Sequence, residues 1–81
     1  MVDRIAIVEK VKSIVSSRFG VPMHEIDTSK LLVEDFGADS RDIVELVLQL
    51  EDAFHFETPD DDAERLRTVG DIVDTIVKYH D

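Results

Sequence analysis

Apolar residues recur every three or four positions in three segments of this 81-residue chain, residues 3–18, 40–54 and 68–79. This spacing places the apolar side chains of each segment on one face of an α-helix. A chain this short offers little besides the other helices to cover each face, so the sequence predicts an all-α domain with one shared core. The predicted inner faces consist of Ile5, Val8, Val11, Ile14 and Val15, then Ile43, Leu46, Val47, Leu50 and Phe54, then Val69, Ile72, Val73, Ile76 and Tyr79, with Val77 at the edge of the last.

Residues with known capping preferences bound these helices. Asp3 and Asp39 are predicted N-caps of the first and second helices, because a short side-chain oxygen can accept a backbone N–H there. Gly20 is predicted to end the first helix. Residues 68–71, Thr-Val-Gly-Asp, resemble a capping box with Asp in the usual place of Glu. Residues 80–81 are expected to fray beyond the last helix.

The two connections between the long helices differ in length. Residues 20–38 are predicted to form a long loop with room for a short helical turn within residues 28–34, and loops of this length are usually functional. Residues 55–67 are predicted to hold a loop and a short helix. The predicted fold is therefore a small four-helix bundle with three longer helices and one short helix. The apolar anchors of the long loop are Ile26, Leu31, Leu32 and Phe36.

The short helix has a strongly acidic start. Thr58 is predicted to cap it, and Pro59 suits its first position. Residues 60–62, three aspartates, then place negative charge at the positive end of the helix dipole. Their spacing is not that of a twelve-residue calcium loop, so a solvated helix start is favoured and no metal site is predicted. Ala63 and Leu66 are expected to face inward.

The acidic surface limits the classes of partner. Nineteen acidic and nine basic residues give a formal net charge of −10, which repels nucleic acid and favours basic partner surfaces. No apolar run approaches the ~20 residues that span a bilayer. Residues 1–4 lack the pattern of a signal peptide, and cysteine is absent, as is typical of a reducing compartment. We expect one domain over residues 1–81, monomeric, cytoplasmic and without membrane insertion.

Ser40 lies where the long loop meets the second helix. A helix start presents unpaired N–H groups and a positive dipole end, where a phosphate is well placed. A catalytic nucleophile is the alternative, but the sequence has no Gly-x-Ser-x-Gly motif. His55 is predicted at the far end of the second helix, and His24 and His80 lie in the loop and near the C-terminus. We therefore interpret Ser40 as a point of attachment.

The second helix carries two apolar residues beside its core stripe. Val44 and Leu48 lie one turn apart among Glu45, Glu51 and Asp52. If they reach the surface, they form an apolar pair in an acidic field, which is typical of a docking face. The alternative is a wide apolar face on which all of these apolar residues are buried. The pattern alone does not choose between the two.

An ordered series of segments resembles the acyl carrier proteins, from Val2 to about Tyr79. Asp-Ser alone carries no information, but the series at this spacing is specific. One position departs from the family, which usually has Leu directly after the serine where this chain has Arg41. The matching segments are Phe36-Gly37-Ala38-Asp39-Ser40, Val44-Glu45-Leu46-Val47, Leu50-Glu51-Asp52-Ala53-Phe54, Thr58-Pro59-Asp60-Asp61-Asp62-Ala63-Glu64 and Leu66-Arg67-Thr68-Val69-Gly70-Asp71.

The resemblance implies that Ser40, within the attachment motif Asp39-Ser40-Arg41, receives 4'-phosphopantetheine from coenzyme A through a phosphopantetheinyl transferase. The thiol of that arm would hold acyl groups as thioesters, so the protein would deliver acyl chains without catalysing a reaction. Its partners would be enzymes of fatty acid or related lipid synthesis with basic docking patches. The implied docking residues are Arg41, Asp42, Val44, Glu45, Leu48, Glu51 and Asp52, and the implied lining of an acyl cavity is Phe36, Leu46, Leu50, Val69 and Ile72.

Several alternatives stay open at this point. The cargo could belong to fatty acid, lipid A or polyketide synthesis, and peptidyl and D-alanyl carriers use the same arm. The chain could also serve unmodified as an interaction subunit of a larger complex. Our hypothesis for Arg41 is that it retunes partner choice, through a partner or through local pairing with Asp42, Glu45 or the prosthetic phosphate.

Overall fold

The chain forms five α-helices in the computed structural model, which describes residues 3–79. A single 3₁₀ turn lies at Met23–Glu25, and no strand occurs within the described range. The all-α bundle is thus confirmed, and the long helices agree with their predicted ranges to within one residue. The fraying predicted for His80 and Asp81 falls outside the described residues. The helices are α1 (Arg4–Phe19), α2 (Leu32–Phe36), α3 (Ser40–Phe54), α4 (Asp60–Glu64) and α5 (Val69–Tyr79).

The predicted caps of the long helices are present. Asp3 accepts hydrogen bonds from the N–H groups of Ile5 and Ala6, at 3.0 and 3.4 Å. Gly20 ends α1 in the left-handed region with φ 69°, where a residue without Cβ has no steric penalty. Thr68 and Asp71 exchange hydrogen bonds across the first turn of α5, so the capping box is confirmed.

The core lies where α1 packs against α5 and α3. Val77, predicted at the edge of the inner stripe, is exposed, and Tyr79 is half-buried. The extended contact between α1 and α5 joins the two ends of the described chain. The buried residues are Ile7, Val11, Ile14 and Val15 of α1, Leu46 and Leu50 of α3, Val69, Ile72, Val73 and Ile76 of α5, and Ile26, Leu32, Ala38 and Leu66 from the connections.

The assignment of Ile5 to the core is wrong. Its exposed fraction is 77%, and Ile7 is buried in its place. Residues two apart on a helix point about 200° away from each other, so only one of the two can face α5. The buried residues Val11, Ile14 and Val15 lie on the side of Ile7. Both isoleucines fit a three- and four-residue period, and only the position of α5 chooses between them.

The predicted capping of the short helix α4 is also wrong. Pro59, not Thr58, is the N-cap residue, and no side chain caps the helix. The N–H of Thr58 donates to Glu51 Oε2 at 2.6 Å, which holds Thr58 against α3 instead. The Pro59 carbonyl accepts from the N–H groups of Asp62 and Ala63, and the Tyr79 hydroxyl donates to the Asp62 carboxylate. The short helix is therefore tied to α3 and α5 by a few polar contacts.

The long connection contains α2 and a short antiparallel pairing with the segment before α5. The Leu32 N–H donates to the Arg67 carbonyl at 2.9 Å, and the Val69 N–H donates to the Lys30 carbonyl at 3.0 Å. At Gly70 an added Cβ would lie 3.0 Å from the Thr28 carbonyl oxygen, so a side chain here would push the Thr28 backbone away by a few tenths of an ångström. Earlier in the loop, hydrogen bonds from the hydroxyl and N–H of Ser29 lower the pKa of Asp27. The short helical turn for which residues 28–34 have room is present as α2, which begins at Leu32 within that range and extends two residues beyond it.

Candidate functional site

A tight turn delivers Ser40 to the start of α3. Gly37 ends α2 with φ 70°, and its N–H donates to the Val33 carbonyl. The N–H of Ala38 reaches back to the Leu32 carbonyl at 3.1 Å, and Ala38 itself is buried. The Gly37 bond is that of the αL motif at a helix C-terminus, and together with the Ala38 bond it fixes the direction in which the chain leaves α2. Ser40 is therefore presented by a rigid connection, with its side chain exposed.

Asp39 caps α3 through a reciprocal pair of hydrogen bonds. The Asp42 N–H donates to Asp39 Oδ1 at 2.8 Å, and the Asp39 N–H donates to Asp42 Oδ2 at 3.1 Å. Within residues 3–79, the N–H groups of Ser40 and Arg41 have no acceptor. Two donors and the positive end of the helix dipole thus surround the Ser40 hydroxyl, an arrangement that suits a phosphate.

Loss of the Asp39 cap should weaken the fold measurably. We expect Asp39→Ala to lower the free energy of unfolding by about 1 kcal/mol, since an N-cap side chain typically contributes that much. Asp39→Asn retains an acceptor oxygen and should lose only a fraction of this amount. Urea unfolding followed by far-ultraviolet circular dichroism measures both. Equal losses for the two variants would show that the charge of Asp39, not its hydrogen bond, is what stabilises the helix.

A groove opens beside Ser40, between α3 and the segment that contains α4. Its volume is about 510 Å³. Ser40 and Arg67 contribute to its wall, and Thr58, Asp60, Glu51 and Glu64 supply further polar groups. Most of its lining is apolar, which suits an alkyl or amide-containing chain more than a polar metabolite. The apolar lining residues are Ile43, Val44, Val47, Leu48, Ala63 and Leu66.

The predicted cavity residues lie deeper than this groove. Phe36 is half-buried and its ring stacks on that of Phe19, with centroids 5.6 Å apart. Leu50 and Ile72 line a smaller pocket of about 10 Å³, enough for roughly one water molecule. Leu46 and Val69 are fully buried in the core. None of the five lines the groove itself, and their role as a cavity wall stays a prediction.

The groove lining was not identified from the sequence. Ile43 and Val47 were assigned to the core, but both are only partly buried and face the groove. The sequence feature that could have indicated a groove is the width of the apolar face of α3, which continues from these residues to Val44 and Leu48. A wide face can pack against a neighbour or border a groove, and the position of the short helix α4 decides which.

The expected exposure of Val44 and Leu48 is confirmed. Their exposed fractions are 58% and 59%, so the alternative of a wide, fully buried face is wrong. Both residues line one side of the groove as well as facing solvent. They therefore form an accessible apolar pair directly beside the opening near Ser40. Their role in docking stays a prediction.

Several acidic side chains of α3 form ion pairs or hydrogen bonds within the chain, which the sequence does not indicate. The Glu45 carboxylate lies between two arginines, with Oε2 3.2 Å from Arg18 Nη1 and Oε1 3.4 Å from Arg41 Nε. Glu51 accepts the Thr58 N–H. Of these acids, Asp52 alone has no partner within residues 3–79. Of the local partners proposed for Arg41, Glu45 is thus the one with which it pairs.

His55 does not approach Ser40 as a catalytic base would. His55 is the C-cap residue of α3, and a 15-residue helix separates it from Ser40 by about 22 Å. His24 is exposed and lies near Glu25. His80 is outside the described residues.

Within residues 3–79, no group of three or more His, Cys, Asp or Glu side chains is placed to hold a metal ion. None of the helices in that range is long and apolar enough to cross a membrane.

Comparisons with known proteins agree with this arrangement. The model of the family described as "Phosphopantetheine attachment site" matches residues 9–76. An acyl carrier protein from Clostridium acetobutylicum is 46% identical over 68 residues, which cover 84% of this chain and 88% of that protein. The solved structure of a candidate acyl carrier protein from Mycobacterium tuberculosis superposes with a TM-score of 0.82 at 26% identity, over 89% of this chain and 96% of that one. The matched range of the family model includes Ser40 and both walls of the groove.

Proposed function

The chain belongs to the acyl carrier protein family, and we propose that Ser40 is the residue that bears its prosthetic group. Proteins of this family carry covalent 4'-phosphopantetheine, and they are carriers and not enzymes. The observation that carries the assignment is the placement of an exposed serine hydroxyl at the first residue of α3, beside the groove. No other serine of the described chain lines this groove.

The residues around Ser40 fit a phosphate ester. The Ser40 oxygen would form the ester bond to phosphorus as the diphosphate of coenzyme A is cleaved and its adenosine bisphosphate part leaves, and the unpaired N–H groups of Ser40 and Arg41 can donate to the phosphate oxygens. The dipole of α3 favours the negative charge at this point. When bound, the group supplies a terminal thiol that holds an acyl chain as a thioester. The chain contains no cysteine of its own, so no residue competes with that thiol.

The groove provides a place for the acyl chain. Its apolar lining removes methylene groups from water, and each buried methylene contributes roughly 0.8 kcal/mol. Val47 and Leu66 border both the groove and the small inner pocket. A chain that passes between these two side chains would reach Leu50 and Ile72, two of the residues predicted to line the cavity. We therefore propose that the inner pocket expands as an acyl chain enters.

The proposed partners are a phosphopantetheinyl transferase and the enzymes of fatty acid or related lipid synthesis that load and use the acyl chain. Val44 and Leu48 would supply the apolar contact with each of them. An interface built on this small, exposed apolar pair favours fast association and fast dissociation, which suits a carrier that visits several enzymes.

The experiment that tests this function is the intact mass of the protein after incubation with coenzyme A and a broad-specificity phosphopantetheinyl transferase. We expect the mass to rise by one phosphopantetheine group. No rise, under conditions in which another acyl carrier protein is fully modified, would contradict the proposal and leave the chain as an unmodified interaction subunit.

A further inference from the structure

The outward ridge of α3 changes character along its length. We define the outer ridge as Arg41, Glu45, Leu48 and Asp52, which recur every three or four residues on the side of α3 opposite the buried Leu46 and Leu50. Arg41 begins the ridge directly after Ser40. Its side chain is 86% exposed. The ridge is therefore basic beside Ser40, apolar in its middle and acidic at its far end.

The negative charge of Glu45 does not neutralise the basic end of the outer ridge, because it is shared between two arginines of this chain. Each of its two carboxylate oxygens is paired with an arginine of this chain, one with Arg18 and the other with Arg41. Arg18 also donates from Nε to the Gln49 side chain at 3.4 Å, so it is held against α3 by two residues. Two guanidinium groups against one carboxylate leave this trio with a net charge of +1.

The neighbouring acids near Ser40 are engaged with the backbone. Asp39 and Asp42 each accept an N–H of the other in the capping box, which holds both carboxylates close to the helix end. Arg41 Nε faces Glu45, and its two terminal nitrogens have no partner within the described range. Arg41 is therefore the exposed charged side chain of the outer ridge nearest Ser40.

The far end of the ridge has the opposite charge. Asp52 is exposed and has no partner within residues 3–79. It lies eleven residues after Arg41, a distance of about 16 Å along the helix axis. Glu51 beside it accepts the Thr58 N–H and is less available. Between the two charged ends lie the exposed apolar residues Val44 and Leu48.

We infer that this chain docks to an enzyme surface of mixed charge, with a carboxylate opposite Arg41, an apolar hollow opposite Val44 and Leu48, and a basic side chain opposite Asp52. This inference rests on the proposed function, because it concerns the enzymes that must reach Ser40. A uniformly basic partner would place a like charge against Arg41, at the contact nearest the reacting serine. Complementary charges at the two ends set the orientation of docking and its rate more than its affinity.

A charge exchange across the interface tests the inference. The probe is a pair of phosphopantetheinyl transferases. The first has a basic residue at the place that faces position 41 of the carrier, and the second is its variant with Glu at that place. Both enzymes are assayed with the unaltered chain and with Arg41→Glu. We expect the unaltered chain to prefer the Glu-bearing enzyme and Arg41→Glu to prefer the basic one. Each preference in kcat/KM should be roughly two- to fivefold, as for a single exposed ion pair, and should shrink with added salt.

The matched control is Arg65→Glu, which makes the same change in net charge at an exposed residue outside both α3 and the groove. Its preference between the two enzymes should equal that of the unaltered chain. If the basic enzyme modifies both the unaltered chain and Arg41→Glu faster, or if Arg65→Glu switches preference as Arg41→Glu does, the inference is overturned while the proposed function stands. If neither enzyme modifies any of these chains, the proposed function fails and this inference fails with it.

Discussion

Replacement of Ser40 by alanine is expected to abolish attachment of phosphopantetheine completely, because the serine oxygen is the atom that would form the bond to phosphorus. The fold should be unaffected. The Ser40 side chain is exposed and makes no hydrogen bond within residues 3–79, and alanine is a good helix former at this position. Intact mass after incubation with coenzyme A and the transferase measures the effect, and circular dichroism verifies the helices.

The matched control for this prediction is Ser17→Ala. Ser17 is also exposed and helical, but it lies in α1, away from the groove. This variant should gain one phosphopantetheine group at the rate of the unaltered chain. A gain that persists in Ser40→Ala would place the attachment on another residue and would refute the assignment of Ser40.

Replacement of Leu46 by alanine is expected to have the largest effect on stability. Leu46 is fully buried in the core, where α3 packs against α1. A buried Leu→Ala change typically costs about 2–5 kcal/mol, through lost burial and the cavity left behind. A domain of this length has a total stability of only about 4–12 kcal/mol, and self-repulsion at a net charge of −10 places it toward the lower end. We therefore expect a substantial unfolded fraction without denaturant.

Leu48→Ala is the matched control, since it makes the same chemical change two residues away on the same helix. Leu48 is exposed, so its truncation should change the free energy of unfolding by less than about 0.5 kcal/mol. Urea unfolding of the two variants, followed by circular dichroism, gives the comparison. Similar losses in both would mean that the outer ridge of α3 is covered in the folded protein, which would contradict its accessibility to partners.

Much of the site could be predicted because its signals are local. Ser40 begins α3 as expected, since Asp39 and Asp42 are three residues apart and the carboxylate of each accepts the backbone N–H of the other. The position of Val44 and Leu48 beside the core stripe follows from the period of a single helix, but the pattern alone does not decide that they are exposed. The lining of the groove could not be predicted, because Ala63 and Leu66 approach α3 only after α4 is tied to α3 and α5.

The sequence predicts one of the two ion pairs of Glu45 and not the other. Glu45 and Arg41 are four residues apart, so a helix brings them together. Arg18 is 27 residues away from Glu45, and no periodicity relates the two. The role of Glu45 in docking therefore depends on a contact that exists only in the folded chain.

The amino-acid sequence by itself determined the three long helices, where each of them begins and ends, and that a serine stands at the start of α3. Periodicity and capping act over one or two turns, so the residues that decide them are adjacent in the chain. Only the tertiary structure decided that Ile7 and not Ile5 enters the core, that Gly70 lies against the Thr28 carbonyl, and that Arg18 reaches Glu45. Each of these depends on the position and rotation of one packed element against another, and short-range interactions do not encode that arrangement.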